Sequence, residues 1–507
     1  MLVLIYFSNI YKLLITKISM NERTLIDILA LQNRWWYGKD DFPFNKTHEL
    51  KRSDYYFLAQ KVLESKEAIV LCGPRGVGKS TVMFEIIKKL LGFNENQNQK
   101  KDPKRIFYVT FDDAGLKKFT LLELLTIYSK YILKENVSKL SKEIYVFFDE
   151  IQNVDEWGSQ IKTIQDLQYP IKFFLSGSSS VAMLNESSKS ARRIFKCSMY
   201  PLKFSDFLRF KINEDSFEKV LKNCAEIKSN FLKSFSTNDP GLLFDTFLGY
   251  YNLLKPWQTK IEIYFQEYII KGGYPEFVNN DDYIEIASKL NQTFTLGFHK
   301  DLVLGKGIGD PKGMKDLIDY ISSISSSETN LTSLMNNSGA TTNTGMLKKY
   351  LYHLENSFLV NSSYKYSKGA TKSRPNFKIY LTDIAIRNML QGLLNEILLK
   401  ESNQIGFVLE TLVFDHFLRF FFKLSPGLRL NYWKNKKNQE VDIILPMNGK
   451  SIPIEVKNSD SPDIRDLKGI LSFCQKNKVP GVVSCGKELS MNKNLVFIPH
   501  WLLILIC

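Results

Sequence analysis

The chain has 507 residues, more than one hydrophobic core serves, and its 44% apolar and 13% aromatic content excludes a disordered or fibrous protein. A formal net charge of +15 favours a polyanionic partner such as nucleic acid, although a generic lysine-rich surface gives the same balance. Six scattered cysteines without a C-x-x-C pair exclude a disulfide framework or a thiolate zinc site and fit a reducing cytoplasm; the five histidines show no ligand spacing.

In chain order, residues 1–20 form an apolar leader interrupted by Asn9, Lys12 and Lys17. The run is too short and too charged for a clean membrane span and has no cleavage site. It reads as a spurious upstream start before Met20, with a membrane anchor as the alternative, and no membrane partner is expected. Residues 21–215 read as a nucleotide-binding core, opening with the aromatic knot Gln32-Asn33-Arg34-Trp35-Trp36-Tyr37. Strands are predicted at 68–72, 105–111, 144–149 and 171–176 with helical patterns between them, the signature of a parallel sheet.

The apolar run Ala68–Leu71 leads into Gly73-Pro74-Arg75-Gly76-Val77-Gly78-Lys79-Ser80, a G-x-x-x-x-G-K-S loop, and a helical stretch begins at Thr81. Such a loop wraps phosphates with backbone N–H groups, and its glycines are needed because a Cβ would block the approach. The helix behind it turns its positive end toward the anion. The loop predicts a nucleoside triphosphate. Tyr145-Val146-Phe147-Phe148-Asp149-Glu150 ends a second strand in two acids. Asp149 would hold Mg2+ beside the Ser80 hydroxyl, and Glu150 would orient and deprotonate the attacking water. Asp112 or Asp113 is expected at the same pocket. Ser176 closes a third strand, where a small hydroxyl can sense the γ-phosphate, or simply sit in a serine-rich turn. The arginines of Ala191-Arg192-Arg193-Ile194 can reach a γ-phosphate in cis or from a neighbouring subunit, or be surface residues.

Residues 216–305 read as a helical lid region with a tight bend at Lys271-Gly272-Gly273-Tyr274-Pro275-Glu276. Residues 306–370 read as a winged-helix-like domain, with helices around 317–321, 331–335 and 346–354 and a strand at 358–360. Lys348 and Lys349 sit on the exposed side of the third helix, and the unit either touches DNA or packs on other domains. In residues 371–507 the strands Glu440–Leu445 and Ile452–Lys457 form a hairpin about Asn448-Gly449-Lys450. Strand alternation puts Glu455 and Lys457 on one face with Val456 toward the core, and Asp442 reaches the same edge. Two carboxylates and an ammonium together suit Mg2+ and a phosphodiester; a plain cross-hairpin salt bridge is the alternative. Glu410, on an apolar helical stripe with Val413, Phe414, Phe417 and Phe421, is a further metal-ligand candidate, while Asp415 and Arg419 pair at i, i+4.

Taken in order, the Gln32–Trp36 stretch, the 73–80 loop, Phe148-Asp149-Glu150, Ser176-Gly177-Ser178, Arg193 with Tyr200-Pro201-Leu202-Lys203-Phe204, Gly272-Gly273-Tyr274-Pro275, Tyr432-Trp433, Glu440-Val441-Asp442 and Glu455-Val456-Lys457 are a familiar set. The chain resembles the prokaryotic AAA-like P-loop ATPases that carry a C-terminal domain of unknown function with a restriction-endonuclease-like fold. The resemblance implies an α/β chain: a P-loop NTPase parallel sheet with a helical lid, then a winged helix and a C-terminal α/β nuclease-like domain. It implies ATP rather than GTP, with Lys79 on phosphate, Ser80 and Asp149 on Mg2+, Glu150 on water, Ser176 as sensor and Arg193 as finger. The family has glycine before that arginine where this chain has Arg192, which leaves 192 or 193 open. Glu410, Asp442, Glu455 and Lys457 match the nuclease-type pattern, with Asp442, Glu455 and Lys457 catalytic and Glu410, Asp442 and Glu455 on metal. The expected activity is ATP hydrolysis acting on or with nucleic acid, DNA before RNA, with a second copy of the chain, as a homo-oligomer, a further candidate partner. The alternative is an ATP-dependent switch whose nuclease-like domain is non-catalytic. A small-molecule phosphotransferase is disfavoured, since it has no use for the water-activating Glu150.

Overall fold

A computed structural model describes residues 22–38, 52–93, 100–178, 193–299, 310–367, 376–424, 429–447 and 449–507. The 1–20 leader, Arg192, the 306–309 boundary and Asn448 lie outside the described residues. Among those described, no helix is long and apolar enough to cross a membrane.

Among the described residues two sheets organise the chain. The first runs β2-β3-β4-β1-β5, with β1 at Ala68–Gly73, β2 at Ile106–Thr110, β3 at Ile144–Asp149, β4 at Ile171–Ser178 and β5 at Ile194–Ser198. Every pairing is parallel, so the C-terminal ends of all five strands share one edge. β1 and β3 are buried along their whole length, as the unbroken apolar runs of doubly covered parallel strands require. β5 was not foreseen, because Ile194-Phe195-Lys196-Cys197-Ser198 alternates and is only half buried.

The aromatic knot finishes the sheet. The Asn33 amide bonds both the N–H and the C=O of Tyr108, Gln32 accepts from the Thr110 N–H, and both tryptophan indoles donate to the Ile106 carbonyl. Side chains thereby satisfy the outer backbone groups of edge strand β2, which would otherwise be open to pairing.

The second sheet runs β13-β14-β12-β11-β10-β9-β7-β8-β6. β6 is Glu328–Asn330, β7 Val360–Lys365, β8 Asn376–Leu381 and β9 Asn431–Lys434; β10 is Glu440–Met447 and β11 Lys450–Val456; β12 is Gly481–Cys485, β13 Ser490–Asn492 and β14 Leu495–Pro499. The three helices predicted in 310–365 span Pro311–Ser323, Leu331–Ser338 and Thr344–Asn356. β8 pairs with β6 and β7, so residues 376–381 go with the helices before them rather than opening the C-terminal unit at 371. β7 then pairs with β9, which joins the two units into one sheet. Lys450 pairs with Met447 inside the hairpin ladder and is not part of its turn.

The apolar cores cross the expected domain boundaries. One joins the first sheet to the 314–394 region; the other joins the helices after residue 202 to the C-terminal unit. The turn-rich patch near 238 is a helix break, with Asn238 in the left-handed region and Asp239 capping the helix Pro240–Leu254.

Candidate functional site

The phosphate loop lies at the shared C-terminal edge of the first sheet. Gly76 and Gly78 have φ of +78° and +91°, and the helix Lys79–Leu90 starts on Gly78 without a side-chain cap. A backbone bent this way with an uncapped helix start suits a phosphate chain. The buried Lys79 ammonium donates to the Gly73 and Pro74 carbonyls, each at 2.9 Å, and so lies across its own loop. Ser80 and Thr81 follow in the first turn, half buried. Other segments hold the loop from outside. A Cβ on Gly73 would stand 2.0 Å from the Met199 carbonyl oxygen, and Gly76 faces Tyr274 and Thr293. Arg52 donates to the Val77 carbonyl at 2.8 Å and the Tyr200 carbonyl at 2.7 Å. The bend at 271–276 is tight for a steric reason: a Cβ on Gly273 would lie 2.2 Å from the Leu202 carbonyl oxygen.

β3 delivers the acids beside this loop. Asp149 is buried; its Oδ1 accepts from the Ser176 hydroxyl and the Glu150 N–H, and its Oδ2 from the Tyr108 hydroxyl at 3.1 Å. Ser176 is thus in the site, but its hydroxyl is bound to Asp149. Glu150 takes a left-handed conformation, φ +53°, at the strand exit. Burial raises its pKa, against the opposing pull of the Lys79 charge. Gln152 donates to the Glu150 carboxylate and also to the Ser178 hydroxyl at 3.0 Å. Tyr108, Gln152 and Arg52 were not singled out from sequence, and Ser178 only as part of the Ser176-Gly177-Ser178 motif; each is an ordinary polar residue until the chain folds.

Arg193 is elsewhere. It lies at the N-terminal end of β5, where its carbonyl accepts from the Ala68 N–H, and Ala68 opens the strand that Gly73 closes. Its guanidinium pairs with Asp166. A finger role in cis is corrected by this placement, because the parallel sheet puts Arg193 at the edge opposite the loop. Asp112 accepts from the Asn153 side-chain amide at 3.4 Å, across from the segment after β3, and Asp113 accepts from the Gly115 N–H in its own turn.

The second candidate site forms where β8, β10, β11 and the helix Ser402–Leu424 meet. Lys378 of β8 lies 2.6 Å from Glu440 Oε1, 2.8 Å from Glu410 Oε1 and 3.3 Å from Asp442 Oδ1. Tyr380 donates to the same Glu410 oxygen at 2.9 Å, and the Val456 N–H donates to Asp442 Oδ2. Lys457 pairs with Glu455 Oε1 at 2.7 Å, while Glu455 Oε2 is buried without a hydrogen-bond partner. Glu455 is buried more deeply than Val456, the reverse of the expected inward Val456. Burial pushes Glu410 up to about 7 and Glu455 up to about 8, with the Asp442 charge adding to both and the lysines opposing. Burial works against the charge on Lys378, yet the Glu410, Asp442 and Glu440 carboxylates around it hold it protonated, its pKa well above the ordinary value.

Glu410, Asp442, Glu455 and Lys457 are therefore brought together, but the expected Mg2+ set does not fit as it stands. Among the described residues no group of three or more His, Cys, Asp or Glu side chains is placed to hold a metal. Lys378 takes the position between Glu410 and Asp442, a residue that the sequence reading did not single out.

One helix touches both regions. Arg419, paired with Asp415, donates to the Pro201 carbonyl at 2.6 Å, and His416 Nε2 accepts from the Phe204 N–H at 3.0 Å. Burial drives the His416 pKa well down, consistent with a neutral ring that accepts. Glu410 lies on this same helix.

Residues 65–208 match the family model described as an AAA domain, and 262–396 and 405–503 match two domains of unknown function, DUF8612 and DUF4143. The chain contains an AAA-like P-loop ATPase domain. It is similar to two proteins of Methanocaldococcus jannaschii. MJ1637 is 26% identical over 479 residues, covering 90% of this chain and 89% of that one. MJ1544 is 27% identical over 385 residues, covering 74% and 71%. Among solved structures, the Walker-type ATPase PABY2304 of Pyrococcus abyssi aligns at a TM-score of 0.34 and 12% identity, over 68% of this chain and 96% of that one.

Proposed function

We propose that this chain is an ATP-binding, Mg2+-dependent ATPase that works on or with nucleic acid through its winged-helix-like and nuclease-like C-terminal parts. The observation that carries the reading is the pair of buried Asp149 and half-buried Glu150 at the end of β3, with Lys79 within electrostatic reach of Glu150. Backbone N–H groups of residues 74–80 cradle the phosphates, and the Lys79 ammonium exchanges the Gly73 and Pro74 carbonyls for phosphate oxygens. Ser80 and Asp149 hold the Mg2+, which when bound offsets charge on those oxygens. Ser176 orients Asp149 through its hydroxyl. Glu150, with its raised pKa, receives the proton of the attacking water. Arg193 serves as a finger only toward a neighbouring subunit. The basic charge and the exposed Lys348 and Lys349 support a nucleic-acid partner, DNA before RNA, and the six free cysteines support a cytoplasmic location.

The test measures ATP turnover and nucleic-acid cleavage together, with DNA and RNA, for the parent, Lys79→Ala, Glu150→Gln and Glu455→Ala. Lys79→Ala should lose binding and turnover, and Glu150→Gln should bind ATP without turning it over. Calorimetry that detects no ATP binding by the parent in Mg2+ removes the proposal. A second reading, an ATP-dependent assembly switch with a non-catalytic nuclease-like part, is supported by the three carboxylates around Lys378. It predicts slow turnover, no cleavage and an oligomer size that changes with ATP; unchanged size counts against it.

A further inference from the structure

We propose that Lys378 is a built-in cation that closes the C-terminal carboxylate cluster, and that neutralising it turns the cluster into a divalent-cation site. The inference rests on the nuclease-like reading of that site and is independent of ATP hydrolysis.

Charge distribution around the site is the first support. Two more lysines stand at its border: Lys457 pairs with Glu455, and Lys434 pairs with Glu328 and also lies 3.2 Å from Glu440 Oε2. Glu410, Glu440 and Asp442 face Lys378, whose side chain is 3% exposed. With the carboxylates ionised, the five of Glu328, Glu410, Glu440, Asp442 and Glu455 against the ammoniums of Lys378, Lys434 and Lys457 leave two negative charges in excess, the charge of one divalent cation. Oxygens converging on one point are what a hard divalent cation requires. Here an ammonium takes that point at hydrogen-bond distances of 2.6–3.3 Å.

Glu455 supplies an independent second observation. It is 5% exposed, and its Oε2 is buried with no hydrogen-bond partner. A carboxylate oxygen in that condition is costly unless a cation or donor reaches it. The Val456 N–H fixes Asp442 Oδ2 at 2.9 Å, which ties Asp442 to the strand that carries Glu455.

The lysine and the carboxylates also come from different parts of the chain. Lys378 is on β8, opposite Glu328 of β6 and Ser363 of β7, whereas Glu410 is on the long helix and Asp442 and Glu455 are on β10 and β11. Two residues on, Tyr380 presents its hydroxyl to Glu410 and stacks on Phe414 with ring centroids 3.8 Å apart.

The test titrates nucleotide-free, full-length protein with Mn2+ and follows free Mn2+ by electron paramagnetic resonance, with circular dichroism to confirm folding. Lys378→Met should gain one Mn2+ site bound at least about tenfold more tightly than in the parent, about 1.4 kcal/mol. Asp442→Asn added to Lys378→Met should remove that gain, and Lys378→Arg should stay closed. If Lys378→Met does not fold, Lys378→Gln takes its place, and the parent against Asp442→Asn is a test without any Lys378 variant. A parent that already binds Mn2+ in an Asp442-dependent way, as tightly as the neutral variant or without need of one, overturns the lock and leaves the nuclease-like reading standing. Folded neutral variants that bind no Mn2+ overturn the lock and the metal role together.

Discussion

Arg52 ties the phosphate loop to the segment after β5, so its loss should be felt in stability and in nucleotide binding. The residue is 2% exposed and donates to the Val77 and Tyr200 carbonyls at 2.8 and 2.7 Å. Arg52→Met keeps the aliphatic stem and removes both donors. A buried acceptor left without its donor costs about 1–3 kcal/mol. Val77 is fully buried and the full range applies there; Tyr200 is half buried, so water can replace part of its bond. Together they should cost roughly 2–4 kcal/mol. For a cooperative unit of the size of the ATPase core that lowers Tm by roughly 4–16 °C. Val77 lies between Gly76 and Gly78, so its release should also weaken ATP binding. Scanning calorimetry without nucleotide reads the first effect, and isothermal titration with ATP and Mg2+ reads the second. Arg52→Lys, with a single point donor, should fall between parent and Arg52→Met. A Tm within about 1 °C of the parent, with unchanged ATP affinity, would refute the idea that these two bonds hold the loop.

Other expectations follow from the same geometry. The Gln152 bond to Glu150 opposes the rise that burial causes in the Glu150 pKa, so Gln152→Leu should push it further up. Turnover needs the carboxylate ionised and is lost as pH falls through that pKa; the acid limb of the pH–rate profile should move to higher pH, and an unmoved limb argues against Glu150 as the base. Glu455 sits at about 8 in the fold against an ordinary 4.5, so the folded state binds the extra proton and stability falls as pH rises through that window. Glu455→Gln should flatten this slope and melt above the parent at about pH 9 but not at about pH 5; parallel curves would show that the buried carboxyl is not the cause. Gly73→Val meets the Met199 carbonyl oxygen and should destabilise by roughly 1–3 kcal/mol or more. Gly249→Ala, inside the helix Pro240–Leu254 with nothing within 4 Å, should stabilise by roughly 0.5–1 kcal/mol; melting curves that shift the same way for both would contradict the packing described.

The two sites were legible to different degrees because their determinants act over different distances. The loop at 73–80 and the acids at the end of β3 are local signals: glycine spacing, a lysine and serine opening a helix, and an apolar run ending in carboxylates. Glu410, Asp442, Glu455 and Lys457 were also readable, as charges set in apolar surroundings. Lys378 was not. In Asn376-Phe377-Lys378-Ile379-Tyr380-Leu381 no local pattern marks it out, and its partners Glu410 and Asp442 stand 32 and 64 residues further on. Arg52 was hidden for the same reason, with Tyr200 148 residues away. Arg193 was left open between a finger in cis, a finger toward a neighbouring subunit and a surface residue, because its neighbours in sequence conceal which end of a parallel strand they open.

By itself, then, the amino-acid order determined which short segments could grip a phosphate, which strands would be buried, and which carboxylates would be expensive to leave alone. Whether Arg193 lies near the loop, which hydroxyl holds Asp149, and which cation stands among Glu410, Glu440 and Asp442 were decided only when distant strands came together. Backbone conformation and apolar patterning are set by neighbours in the chain. The balance of a buried charge is set by whatever packs against it, and that belongs to the tertiary structure.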